Sequence, residues 1–363
     1  METPLNIIPI RKWFKQLSNK PVIISGPCSA ETEKQLIETA KAINDIGKVQ
    51  IFRAGIWKPR TRPVNFEGVG EKGLLWLKKA KEQTGLLTTV EVATPKHIEK
   101  CLKFGVDILW IGARTTSNPF SINELTQVLK GVDIPVMIKN PINPDINLWV
   151  GAIERFNKIG INKLAAIHRG FFPFELTSLR NIPKWEIPIE LKRNFHNLSI
   201  ICDPSHIAGK RKYINEISQK ALDLDMDGLM IESHISPDKA LTDSKQQITP
   251  KELKLMLDSL VIRTSNSDNF DFINSIEKYR DQIDSIDTQL IELLAQRMEI
   301  VKQIGVYKKN NDVTILQLSR WEKIINSRIN FGLKLGLSEK LIKKIMQLIH
   351  KESIQKQNEI MNN

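Results

Sequence analysis

Eight short apolar runs, at residues 22–24, 49–52, 86–90, 108–111, 136–138, 164–167, 198–201 and 229–231, recur along the chain. Between most of them lie amphipathic stretches long enough for helices, among them 31–46, 72–83, 95–104 and 147–159. Buried strands that alternate strictly with helices run parallel, because each crossover helix carries the chain back to the same edge of the sheet. Eight such units close most economically into a (β/α)8 TIM barrel, an α/β fold whose βα loops converge on one mouth.

The groups that follow the runs are Cys28; Arg53, Lys58 and Arg60; Glu91; Arg114; Lys139; His168 and Arg169; Asp203 and His206; and Glu232 with His234. Every run ends in a polar or charged group. A barrel without a site would end several strands in Ser, Asn or Gly, so the pattern points to an enzyme. The stretch 53–63 places Arg53, Lys58, Arg60 and Arg62 in one loop stiffened by Pro59 and Pro63. Taken alone, it also reads as a solvated basic loop. With Arg114, Lys139 and Arg169 it makes a cationic set suited to a substrate carrying phosphate and carboxylate, which guanidinium forks grip at two points.

Cys28, His206 and Glu232 come from three strand ends, and Asp243 lies in the loop after the last. A thiolate, an imidazole and two carboxylates suit a divalent transition ion, with the carboxylates extending tolerance toward manganese. Each also has a plainer reading: a small buried hydrophobe for Cys28, a hydrogen-bonded loop residue for His206, an arginine partner for Glu232. Cys101 and Cys202 keep the structural reading. Three cysteines, odd in number and far apart, argue for reduced thiols. No apolar run is long enough for a bilayer and the first twenty residues lack a signal-like core, so no membrane association and a cytoplasmic location are expected. The net charge of +12 is spread over separate loops and C-terminal helices without a nucleic-acid motif, so small anionic substrates account for it.

Gly26-Pro27-Cys28-Ser29, Arg53-Ala54-Gly55 through Lys58-Pro59-Arg60-Thr61, Gly112-Ala113-Arg114-Thr115-Thr116, Lys139-Asn140, Asp203-Pro204-Ser205-His206 and Glu232-Ser233-His234 resemble 3-deoxy-D-arabino-heptulosonate 7-phosphate (DAHP) synthases, in the compact group related to 3-deoxy-octulosonate 8-phosphate synthase. The resemblance implies a metal-dependent condensation of phosphoenolpyruvate with erythrose 4-phosphate that opens the shikimate pathway. It implies that Arg53, Lys58, Arg114, Lys139 and Arg169 hold phosphoenolpyruvate, that Arg60 and Thr61 meet erythrose 4-phosphate, and that Cys28, His206, Glu232 and Asp243 hold the ion, with Lys58 transferring a proton. His168 before Arg169 and the aromatic run Phe171-Phe172-Pro173-Phe174 depart from that pattern. About twenty residues precede the first run, so regulation is expected from elsewhere in the chain.

Beyond residue 262 nothing resembles a strand. A polar linker at 263–271 separates the barrel domain, 1–262, from an all-helical domain, 272–363. Ile276, Tyr279, Ile283, Ile286, Leu290, Leu293, Arg297, Ile300, Ile304 and Tyr307 recur at spacings of three and four, the seam of one long helix. Arg297 interrupts the seam, and a cation there requires an anion or a path to water. Lys308 follows on nearly the same face, whereas Arg280 points about 100° away. Further helices are expected at 316–331 and 338–360, with Ser353 and Gln357 one turn apart.

Arg280, Arg297, Lys308, Arg320, Ser353 and Gln357 resemble the site of the all-helical chorismate mutases. That implies rearrangement of chorismate to prephenate by orientation and cation placement, Arg297 and Lys308 foremost, with Arg280 supplied from a partner in a homodimer of long helices. It also makes the helical domain the candidate regulator, through chorismate or prephenate. Trp321 and Gln317 stand where that family carries acids. The rival reading is a 3-deoxy-octulosonate 8-phosphate synthase-like barrel with a catalytically silent helical module for dimerisation or control.

Overall fold

The structure, a computed structural model, describes residues 5–59, 64–174, 177–264 and 270–362. The chain divides into two compact units, Met1–Ser265 and Asn266–Asn363.

In the first unit the eight runs become parallel strands: β1 (Val22–Gly26), β2 (Ile51–Arg53), β3 (Leu87–Val92), β4 (Ile108–Ile111), β5 (Val136–Lys139), β6 (Leu164–His168), β7 (Ser199–Cys202) and β8 (Gly228–Glu232). They pair in chain order, and β1 closes on β8 from Val22↔Gly228 to Gly26↔Glu232. Closure leaves the strands no free edge. Side chains alternate, as strand geometry dictates. Val22, Ile24, Ile51, Leu87, Ile108, Trp110, Met137, Ala165, Ile167, Ile201 and Met230 fill the interior. Ile23, Phe52, Val90, Leu109, Ile138, Ala166 and Ile231 pack outward against the helices.

The segment ahead of β1 has a use that its mixed composition conceals. Ile10, Trp13 and Leu17 join the interior cluster. The Ile10 amide donates to Ser199 Oγ at the start of β7, so this segment stoppers the end of the barrel where the strands begin. The last barrel helix, Pro250–Ser259, starts as its sequence indicates: Thr249 accepts from the Glu252 amide while Glu252 reaches back to the Thr249 amide, a capping box with proline in the first turn.

The same alternation corrects one expectation. Ile167 points inward, so His168 points outward and leaves the mouth to Arg169. His168 is fully buried among Trp149, Phe171 and Trp185, with ring centroids 5.3 to 6.4 Å away. Burial drives its pKa from 6.5 to about 3, with partial compensation from the Pro183 backbone. The unfolded chain takes up a proton there below about pH 6.5 and the folded chain does not, so this histidine withdraws stability as pH falls from 6.5 toward 3. His168→Phe is expected to flatten the acid side of the stability profile, read as urea midpoints between pH 7 and pH 4; an unchanged slope would refute the assignment.

Among the described residues the second unit forms the helices Phe270–Asn310, Leu318–Lys334 and Glu339–Asn362, each within a few residues of its sequence expectation. The first and third pack closely around Gly305, where an added Cβ would stand 3.4 Å from the Gln357 backbone. No helix among the described residues is long and apolar enough to cross a membrane.

Candidate functional sites

At the C-terminal end of the barrel the inward positions change from apolar to charged. Trp110 forms the floor, with the Arg53 guanidinium 4.9 Å from its ring centroid and Lys139 Nζ at 6.0 Å. The next layer is paired: Arg53 Nη2 lies 3.2 Å from Glu232 Oε1, and Lys139 Nζ 2.8 Å from Asp203 Oδ2, all deeply buried. Arg53 keeps Nε and Nη1 buried without hydrogen-bond partners, so two of its donors remain to be satisfied.

Above this layer lies a cavity of about 580 Å³ lined by Lys58, Arg114, Lys139, Arg169, Arg180, His206 and Asp243, among others. Arg169 donates to Asn181 Oδ1 at 2.9 Å, and Asn181 donates to the His206 carbonyl at 2.6 Å. Burial pulls the Arg169 guanidinium down to about 10, with Asp203 opposing the shift and Arg180 adding to it, so it is charged at neutral pH. Arg114 sits on a helical turn, Ala113–Thr116, and donates to the Pro59 carbonyl. The five cations named from the sequence and described here therefore share one mouth. Arg60 and Thr61 lie outside the described residues.

The four candidate ligands converge beside this cavity. Cys28 Sγ lies 3.6 Å from Asp243 Oδ2, and His206 Nε2 is 3.8 Å from Glu232 Oε1 and 4.0 Å from Asp243 Oδ2. The ligand atoms of Cys28, Glu232 and Asp243 all lie within 4.8 Å of one another. His206 Nδ1 is held by Asp203 at 2.8 Å, which turns Nε2 toward the carboxylates, the arrangement that orients a ligating imidazole. Burial pushes His206 down against the pull of Asp203, keeping it in the neutral form that ligation requires. Burial alone would raise the Glu232 and Asp243 carboxyls; the guanidiniums of Arg53 at Glu232 and of Arg180 at Asp243 pull the other way, and both carboxyls are held below their usual range. Burial and Glu232 raise the Cys28 thiol to about 12, while Lys58, with Nζ 3.1 Å from the sulfur, pulls the other way. Glu232 Oε1 is buried without an aligned hydrogen bond, its nearest cation being the Arg53 guanidinium at 3.2 Å, so it retains acceptor capacity toward an ion. Sulfur, nitrogen and two oxygens set this closely fit a divalent ion.

Two residues of this region escaped sequence reasoning. Arg180 sits in the long connection after β6 and Gln246 in the loop after β8, and neither belongs to a periodic or charged run.

In the helical unit, Arg297 Nη1 donates to Ser353 Oγ at 2.6 Å, bridging the first and third helices. Lys308 Nζ donates to the Ile315 carbonyl at 2.5 Å. Gln357 is buried, and its Oε1 accepts no hydrogen bond among the described residues. Trp321 stacks on His350 with ring centroids 3.9 Å apart, and His350 is near enough to Arg297 to feel its charge after burial has lowered its pKa. Arg280 is not brought into this group: it is exposed and bonded to Glu277. Seventeen residues separate it from Arg297, about 25 Å along a helix axis. Arg320 is also exposed.

Residues 14–266 match the DAHP synthetase I family, and residues 279–358 match chorismate mutase type II. Phospho-2-dehydro-3-deoxyheptonate aldolase of Thermotoga maritima is 31% identical over 250 residues, covering 67% of this chain and 72% of that protein. A 2-dehydro-3-deoxyphosphooctonate aldolase of Variovorax paradoxus is 27% identical, covering 66% and 88%. The crystal structure of the Thermotoga maritima DAHP synthase superposes with a TM-score of 0.59 at 30% identity, over 65% of this chain and 67% of that one.

Proposed function

Since the chain belongs to the DAHP synthetase I family through its barrel and carries a type II chorismate mutase domain in its helices, we propose that it condenses phosphoenolpyruvate with erythrose 4-phosphate and separately rearranges chorismate to prephenate. The observation that carries the first reaction is the cluster of Cys28, Glu232 and Asp243, with His206 Nε2 within 4.0 Å of both carboxylates, beside the cation-lined cavity. These four would hold a divalent transition ion, the two carboxylates extending tolerance to Mn2+, and when bound it would supply Lewis-acid polarisation of the aldehyde oxygen.

The remaining work falls to the side chains. Arg114, Lys139 and Arg169 hold the phosphate and carboxylate of phosphoenolpyruvate, with Arg53 offering its two unpartnered donors from below. The enol carbon is thereby presented to the aldehyde, and positioning converts a bimolecular encounter into a first-order step. Lys58, beside Cys28, stands where a proton can be passed as water adds to the cation-like carbon and phosphate departs. Arg60 and Thr61 take the phosphate of the four-carbon sugar.

In the helical unit Arg297, Lys308, Ser353 and Gln357 clamp the carboxylates and ether oxygen of chorismate, and no covalent step is needed. A homodimer supplies what one copy lacks. Tyr279, Ile283, Ile286, Leu290 and Leu293 follow one seam and are each more than half exposed, a face that supports a second long helix bringing Arg280 and possessing the same need. The helical domain also serves as the regulator, with chorismate or prephenate bound there slowing the barrel; the support is its fusion to the synthase in one chain.

The test is phosphoenolpyruvate consumption with erythrose 4-phosphate or arabinose 5-phosphate, on the full chain and on residues 1–264, with and without prephenate. Consumption with erythrose 4-phosphate, inhibited by prephenate only in the full chain, is expected. Turnover with arabinose 5-phosphate alone would move the barrel to the octulosonate branch, and equal inhibition of both chains would remove the regulatory role.

A further inference from the structure

The two carboxylates proposed to face the ion, on β8 and in the loop that follows, are tied to each other by one side-chain amide. Gln246 is 2% exposed, and its Nε2 donates to Glu232 Oε2 at 2.7 Å and reaches Asp243 Oδ2 at 3.4 Å. Its Oε1 accepts from Arg180 Nη1 at 2.6 Å, and the same Arg180 nitrogen lies 3.0 Å from Asp243 Oδ2. Chemistry settles which way the amide faces. A guanidinium has donors and no acceptor, so the atom against Arg180 is the amide oxygen, and the nitrogen must face the carboxylates.

The backbone prepares this placement. Asp243 adopts a positive φ of 48°, uncommon for a residue with a side chain, and the Gln246 amide closes the turn by donating to the Asp243 carbonyl at 3.1 Å. The turn folds the glutamine back over the aspartate. The next residue works on a third ligand: Gln247 Oε1 accepts from the Cys28 amide at 2.9 Å, and its Nε2 donates to the Thr242 carbonyl at 2.8 Å. Two adjacent glutamines thus connect Cys28, Glu232 and Asp243, which are far apart in sequence. Because Gln246 occupies Oε2 of Glu232, the oxygen that faces His206 Nε2 is Oε1, which also lies 3.2 Å from Arg53 Nη2 and has a second lone pair to offer.

We propose that Gln246, with its amide orientation locked by Arg180, is a positioning residue that fixes the separation of the Glu232 and Asp243 carboxylates and directs Glu232 to the ion through Oε1 alone. The inference rests on the metal-site reading above. Without the shared donor, two like charges in a buried site would move apart, or Glu232 would turn both oxygens inward. Either change alters the affinity for the ion and the preference among ions of different size.

The test uses the full chain without substrates. Dissociation constants for Mn2+ and for Zn2+ are measured by competition with a chromogenic chelator, beside thermal unfolding of the metal-free protein. Gln246→Leu is expected to weaken binding by about 10- to 100-fold and to change the Mn2+ to Zn2+ ratio, while the metal-free unfolding temperature moves little. Arg180→Met, which leaves the glutamine but lets its amide flip, is expected to give a smaller loss, and it keeps the inference testable if Gln246→Leu does not fold. Unchanged constants in a folded variant, or a fall in unfolding temperature with affinity intact, would overturn the positioning role while leaving the metal site standing. A parent chain that binds neither ion would overturn both.

Discussion

Arg297→Ala is expected to lower mutase kcat/KM on the order of 100- to 1,000-fold and to leave the synthase rate unchanged. The arginine is half-buried in an apolar seam, and Ser353 is the group that receives it. A neutral hydroxyl does not balance a guanidinium; a carboxylate of the proposed substrate would, and the cost of holding the cation there would be recovered on binding the dianion. Chorismate loss followed by absorbance measures the effect. A chain whose parent form turns over chorismate but whose variant does so equally well would remove Arg297 from the site, and a parent without turnover would favour a silent module.

Removing divalent ions is expected to have the larger effect on the other reaction. Chelation should reduce synthase turnover by more than about 100-fold, since the polarisation of the aldehyde is lost entirely, whereas the mutase rate should not change. Cys28→Ser should reproduce most of that loss and resist rescue by added ion, because a hydroxyl replaces a soft anionic ligand. The two activities on one chain serve as each other's control. A synthase indifferent to chelator and to the serine substitution would mean that Cys28, Glu232 and Asp243 form only a buried polar cluster.

The alternation of strand side chains explains what was legible at the barrel mouth. Arg53, Lys139 and Glu232 each follow an inward apolar residue by two positions, so parity places them in the interior. Parity also removes His168, which follows Ile167 by one, and a reading by strand ends without phase could not separate it from Arg169. Trp110 looks like any core tryptophan in the sequence; only the closed barrel puts its face beneath Arg53.

The sequence by itself determined the eight alternating strands, the long C-terminal helices and the cations and candidate ligands that follow the strands, because these depend on periodicity and on local chemistry. Tertiary structure decided the pairings. Which cation meets which carboxylate, which atom of Gln246 faces Glu232, why Ile10, Trp13 and Leu17 stopper the barrel, and why Arg297 meets Ser353 all depend on distances between residues remote in sequence. A hydrogen bond extends about 3 Å and is set by closure of the whole barrel or the packing of whole helices, so no local window of the chain contains it.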